Sequence, residues 1–160
     1  MEIAILAVGR LKSGPESALC ATYLDRAKKA GGKLGLRGFD VREIPESRAG
    51  RPDDRIAQEA EALVAKAGGV GWLIALDVGG DLLDSEQFAK ILDDGAASAL
   101  TRIAFIIGGA DGLGASVLGR SDRRISFGRV TWPHQIVRVL LAEQLYRATA
   151  ILSGHPYHRA

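Results

Sequence analysis

His155, Tyr157, His158 and Arg159 crowd into five positions around Pro156 near the carboxyl end. Imidazole exchanges protons near neutral pH, a phenol donates or accepts a hydrogen bond, and a guanidinium grips phosphate or carbonyl oxygen. All three histidines lie after position 133, and core packing gives little reason for such a cluster. The spacing alone fits either a proton-handling site or an inert tail. Upstream, Ile106-Ile107 breaks into Gly108-Gly109-Ala110-Asp111-Gly112-Leu113-Gly114, a pattern that lets backbone approach a ligand closely. Between the two stands Thr131-Trp132-Pro133-His134-Gln135. His134, following a proline at a helix start, either caps and packs or reaches a site.

The glycine run fits none of the common phosphate loops. A P-loop places Lys and Ser/Thr after its last glycine, whereas Gly114 is followed by Ala115-Ser116. A dinucleotide fingerprint follows the first strand and has an acid about 20 residues on, where this chain has His134. Ser121, Ser126 and Ser153 lack the strained elbow of a nucleophilic serine, and no Cys/His cluster has metal-ligand spacing. What remains is a set of strand ends that open into loops, at Leu76 to Gly80, Ile107 to Gly109 and Phe127 to Trp132. Beyond the carboxyl ends of parallel strands, such loops can enclose a planar heterocycle; singly, each is also an ordinary turn.

The elements that must position these residues alternate. Residues 2–8, 34–44, 72–76, 102–107 and 124–127 read as strands. Residues 15–30, a stretch with Ile56, Ala60, Leu63, Val64 and Ala67 on one face, a stretch from Asp84 or Ser85, and 133–152 read as helices. Asp53 or Asp54 is expected to cap the second of these. The pattern predicts an α/β fold, a mostly parallel sheet flanked by helices, in a single domain over 1–160. The last helix is apolar around most of its circumference, which points to a homodimer interface. Arg138 on it faces either a ligand or that interface.

Composition is that of a soluble globular chain, 47% hydrophobic and 25% charged, with no signal peptide and no run near the ~20 apolar residues that span a membrane. The lone Cys20 makes no internal disulfide, suits a reducing cytoplasm, and shares a helix face with Leu24 and Ala27, as a packing residue would. The net charge of +2 is uneven. From Arg120 onward seven arginines oppose only Asp122 and Glu143, a net +5, which leaves −3 on the first 119 residues. An arginine-rich segment suits a polyanionic partner better than a lysine-rich one would.

These residues also resemble a known family, the small SPOUT methyltransferases that modify ribosomal RNA. The likeness runs through Ile3 to Lys12, Tyr23 to Arg26, Leu76-Asp77, Ile107 to Leu113 and Ser126-Phe127. Its most specific parts are Thr131 to Ala148 and the ending Tyr157-His158-Arg159. Within that class the chain is similar to the pseudouridine-N3 methyltransferases of the large ribosomal subunit, over essentially its whole length.

The resemblance implies a carboxyl-terminal trefoil knot, a homodimer packed through the last helix, and methyl transfer from S-adenosylmethionine to N3 of a pseudouridine, on assembled ribosomes in the cytoplasm, with no metal. It implies that Leu76, Gly108, Gly109, Phe127, Gly128, Arg129, Val130, Thr131 and Trp132 hold S-adenosylmethionine. His155, Tyr157, His158 and Arg159 are then the catalytic candidates, His158 or Tyr157 nearest the proton and Arg159 on phosphate or ring oxygen. Asp81 stands where many relatives carry lysine, and Gly128 where serine is common. The competing expectations are a non-catalytic RNA-binding or ribosome-assembly protein of the same fold, and a methyltransferase acting on another RNA such as tRNA.

Overall fold

A computed structural model describes residues 1–68 and 71–158. The elements run β1 (Glu2–Val8), α1 (Pro15–Gly31), a 3-10 turn (Gly32–Leu34), β2 (Arg37–Ile44), α2 (Pro52–Ala67), β3 (Trp72–Leu82), α3 (Ser85–Ala97), β4 (Arg102–Ile107), α4 (Ala115–Arg120), β5 (Arg123–Ser126) and α5 (His134–Leu152). The strands form one sheet in the order β2-β1-β4-β3-β5, and every neighbouring pair is parallel.

Successive strand side chains point to opposite faces, so β1 and β4 feed two cores. Ile3, Ile5, Ala7, Ile103, Phe105 and Ile107 pack with α1, α3 and α5. Leu6, Val8, Ala104 and Ile106 pack with Ala60 and Leu63 of α2 and Val117 of α4. Burial on both faces is why these strands read as unbroken apolar runs rather than alternating ones. Phe88 and Phe105 stack at 5.7 Å under α3.

Most expected elements are present, with informative departures. Asp84 caps α3 through a reciprocal box: its carboxylate accepts from the Gln87 amide at 2.7 Å, and the Gln87 side chain accepts from the Asp84 amide at 2.9 Å. By contrast α2 starts with Arg51 at the cap position and Pro52 in the first turn, and no side chain caps it. Asp53 and Asp54 sit one step inside, where they complement the positive end of the helix instead. β3 runs six residues past Leu76, with a register break that sets both Leu76 and Asp81 opposite Ile125. Gly80 permits that return, because a Cβ there would lie 2.6 Å from the Ile125 amide nitrogen. α4 was not legible in the sequence, and β5 begins and ends one residue earlier than expected.

Arg138 faces neither a ligand nor an outer surface. Its side chain is fully buried, donating to Glu43 Oε1 and to the Val8 and Gly9 carbonyls, each at 2.6 Å. It thereby fastens α5 to the carboxyl end of β1. Cys20 is buried beside it, its thiol 3.8 Å from the Arg138 carbonyl, and burial pushes that thiol's pKa up, away from reactivity.

Candidate functional site

The carboxyl ends of β3, β4 and β5 open onto a hollow of about 520 Å³. Leu76, Asp77 and Val78 form one side, Ile107 to Ala110 with Gly112 and Leu113 the floor, and residues from Ile125 to Val137 the other side. This is where ligands sit in parallel α/β sheets. Eight of the nine residues expected to hold a cofactor line it: Leu76, Gly108, Gly109, Phe127, Gly128, Val130, Thr131 and Trp132. Arg129 is exposed and does not belong to the wall. Asp77 lies in the expected Leu76 to Gly80 loop, and the structure adds His134 and Val137 from the start of the last helix, of which only His134 stood out by residue type.

Local chemistry shapes each loop. The glycine loop folds back through a Gly109–Gly112 bridge, with the Gly112 amide donating to the Gly109 carbonyl at 3.1 Å. Gly112 adopts φ +88°, which other residues rarely tolerate, and a Cβ on Gly108 would lie 2.6 Å from the Gly112 carbonyl oxygen. The turn is thus a bare backbone cradle. After β5, the Ser126 hydroxyl donates to the Gly128 carbonyl at 2.8 Å, and Gly128 takes φ +125°. Trp132 Nε1 donates to the Phe127 carbonyl at 3.3 Å and closes this second loop. Val78, Val130 and Trp132 stand exposed at the rim, an apolar edge suited to covering by a ligand or a partner.

Among the described tail residues, His155, Tyr157 and His158 do not line this hollow. Tyr157 and His158 dock against α5 and α3, and His158 borders a second hollow of about 540 Å³ that shares Ile125, Ser126, Phe127 and Gly128 with the first. The Tyr157 phenol donates to Glu143 Oε1 at 3.0 Å, and its ring lies 4.4 Å from Tyr146, with the Arg147 guanidinium 4.9 Å from its centroid. Burial first, then hydrogen bonding with Tyr23 and Glu143, drives the phenol's pKa far above its usual value. Tyr157 therefore keeps its proton at neutral pH, and that proton goes to Glu143.

His158 Nε2 lies 2.9 Å from Glu86 Oε1, while its buried Nδ1 has no partner among the described residues. The contact holds the Glu86 carboxyl below its ordinary value. His155 is exposed and its Nδ1 accepts from the Tyr157 amide at 3.2 Å. Arg159 lies outside the described residues. Among the described residues no cluster of His, Cys, Asp or Glu could hold a metal, and no helix is long and apolar enough to cross a membrane.

Comparison with known proteins agrees with this geometry. Residues 1–158 match the family model described as "Predicted SPOUT methyltransferase". The chain is 51% identical over 159 residues to "Ribosomal RNA large subunit methyltransferase H" of Rhizobium etli, covering 99% of each protein. It is 49% identical to the protein of that name in Rhodopseudomonas palustris, covering all of both. A probable methylase family protein from Haemophilus influenzae shares the fold at a TM-score of 0.52 and 15% identity, over 99% of this chain and 70% of that one. A probable methyltransferase from Bordetella pertussis does so at 0.51 and 16%, over 92% and 95%. On its parallel sheet, its loop-built hollow and a family match over almost its whole length, the chain belongs to the SPOUT methyltransferases.

Proposed function

We propose that this chain methylates N3 of a pseudouridine in large-subunit ribosomal RNA, on assembled ribosomes in the cytoplasm, with S-adenosylmethionine as methyl donor. The observation that carries the reading is the hollow at the ends of β3, β4 and β5, taken with relatives about half identical that are named for ribosomal RNA methylation. The hollow's chemistry fits an adenosyl group: apolar walls from Leu76, Ile107, Leu113 and Val137 suit a purine, and the glycine turn offers backbone without side chains. Leu76, Gly108, Gly109, Phe127, Gly128, Val130, Thr131 and Trp132 would hold it, with Arg129 beside them. When bound, S-adenosylmethionine supplies an electrophilic methyl on a sulfonium.

N3 of a pseudouridine carries a proton and attacks well only once that proton is leaving. His158 is the base in this reading, and Glu86 on its Nε2 sets the ring's orientation and steadies the imidazolium that forms. Tyr157 keeps its one proton, which Glu143 Oε1 accepts at 3.0 Å; in this reading the hydroxyl turns from Glu143 to donate to the developing anion once substrate is bound. His155 supports the turn beneath Tyr157, and Arg159 holds phosphate or ring oxygen. His158 borders the second hollow, and the wall that this hollow shares with the first, at Ile125, Ser126, Phe127 and Gly128, supports this division.

The same reading takes residues 1–160 as one domain, gives it the family's trefoil knot, and makes the functional unit a homodimer. The half-buried flank of α5 at Ile136, Val139 and Leu140 supports that pairing. The test is incubation with labelled S-adenosylmethionine and ribosomes, followed by mapping of the methyl group. Label at N3 of one large-subunit pseudouridine is the expected result. Cofactor binding without any transfer would replace this substrate with another RNA such as tRNA, and neither binding nor transfer would replace the reading with that of a non-catalytic RNA-binding protein.

A further inference from the structure

Two loops far apart in the sequence are bracketed by neighbouring turns of α2. One is the glycine loop on the floor of the hollow; the other is the polar connection from Pro45 to Arg51. Arg55 grips both. Its guanidinium donates to Asp111 Oδ2 at 2.7 Å and Oδ1 at 3.1 Å, and also to the carbonyls of Ala49 at 3.2 Å and Gly50 at 3.3 Å. One turn on, Glu59 repeats the bracket. Its Oε1 accepts from the Ser47 amide at 2.9 Å. Its Oε2, buried and without a partner among the described residues, lies against Gly109, where a Cβ would come within 2.9 Å of it.

A bidentate arginine that also holds two carbonyls fixes both loops in a single geometry. The segment so fixed carries Arg48 and Arg51, both exposed and engaged in none of the ion pairs among the described residues. Two free guanidinium groups on a loop tied to the cofactor floor suit one kind of ligand group, the repeating phosphates of a nucleic-acid backbone. Resting on the RNA substrate proposed above, we infer that Arg55 and Glu59 lock the glycine loop and the Pro45–Arg51 loop into one body. Arg48 and Arg51 then dock the RNA phosphodiester backbone in register with the methyl donor. Arg55 and Glu59 are positioning residues in this scheme and touch no substrate.

The experiment pairs calorimetry with S-adenosylmethionine and anisotropy with a fluorescent single-stranded oligoribonucleotide at several salt concentrations. The joint Arg48→Ala, Arg51→Ala variant, both changes on exposed positions, should bind S-adenosylmethionine as the unsubstituted chain does. It should lose RNA affinity, and its salt slope should fall by about 1.4, which is about sevenfold less affinity lost between ~50 and ~200 mM salt. Arg55→Met should weaken RNA binding with both docking arginines still present, and Arg55→Lys should recover part of it. In the unsubstituted chain, saturating S-adenosylmethionine should tighten RNA binding about fivefold or more, and Arg55→Met should abolish that gain.

An unchanged salt slope in the joint variant would overturn the docking role. RNA affinity and cofactor coupling untouched by Arg55→Met would overturn the locked body. If the unsubstituted chain binds RNA with the expected slope yet transfers no methyl to ribosomes, the proposed activity fails and the docking unit stands.

Discussion

Replacing Arg138 by methionine tests the buried fastening of α5. The substitution keeps length and apolar bulk but removes every donor the site uses. Glu43 would keep the Leu11 amide at 2.7 Å and, with its side chain 30% exposed, could regain water, so its loss is modest. The Val8 and Gly9 carbonyls are different, because both lie in the interior facing Arg138. Each buried acceptor left unpaired costs about 1–3 kcal/mol, and breaking a buried ion pair costs about 3–5 kcal/mol in total. Relief of guanidinium desolvation offsets part of this, which leaves a net loss of about 3 kcal/mol. For a domain of this size that is a fall in Tm of about 10 °C.

Urea and thermal unfolding at neutral pH measure it directly. Arg138→Lys should lose roughly half as much, since a single ammonium cannot reproduce the fork. A loss below ~1 kcal/mol for Arg138→Met would refute the reasoning, because it would mean the carbonyls find other partners at no cost. Adding Glu43→Gln to Arg138→Met should change little if the carbonyls dominate.

Tyr157→Phe should lower turnover while leaving S-adenosylmethionine affinity and the shape of the pH–rate profile intact, because the phenol does not ionise in the working range. His158→Ala should lower turnover sharply with cofactor affinity nearly unchanged; turnover unaffected in both variants would remove these residues from the mechanism. Gly108→Ala should abolish measurable cofactor binding in calorimetry, since its Cβ would meet the Gly112 carbonyl oxygen at 2.6 Å. Arg55 beside Asp111 holds that carboxyl below its ordinary value of 3.8, first through the hydrogen bond. A depressed folded value means the contact's stabilisation is full above pH 3.8 and is lost as pH falls through the lowered value. Carbon NMR of Asp111 should show the midpoint rising toward 3.8 in Arg55→Met.

Reading forward from the residues, what was legible was whatever one segment decides alone. The apolar runs of β1 and β4 and the helix start at Asp84 or Ser85 needed no distant partner to be recognised. α4, six residues long, is too short to display a period, and Gly79-Gly80 read as a turn although β3 continues through it. The loops that line the hollow were legible because glycines and their family context mark them. Val137 joins the wall only through tertiary placement. Arg138 looked like a charge facing a ligand or a dimer interface because its partners lie at Val8, Gly9 and Glu43, on the other side of the sequence. The tail's docking rests on Glu143 and Glu86, contacts that no local pattern announces.

The packing of α5 on α1 also bears on how the chain is made. The inner face of α1, with Cys20 and Ala27, is covered by a helix that begins at His134, and the Cys20 thiol meets the carbonyl of a residue 118 positions later. Contacts of such long range are slow to close. A nascent chain that has emerged through β4 therefore carries a finished first helix with its greasy side bare. Until the final helix leaves the exit tunnel, that side is open to chaperones and to neighbouring chains, and aggregation competes with folding for as long as it stays bare.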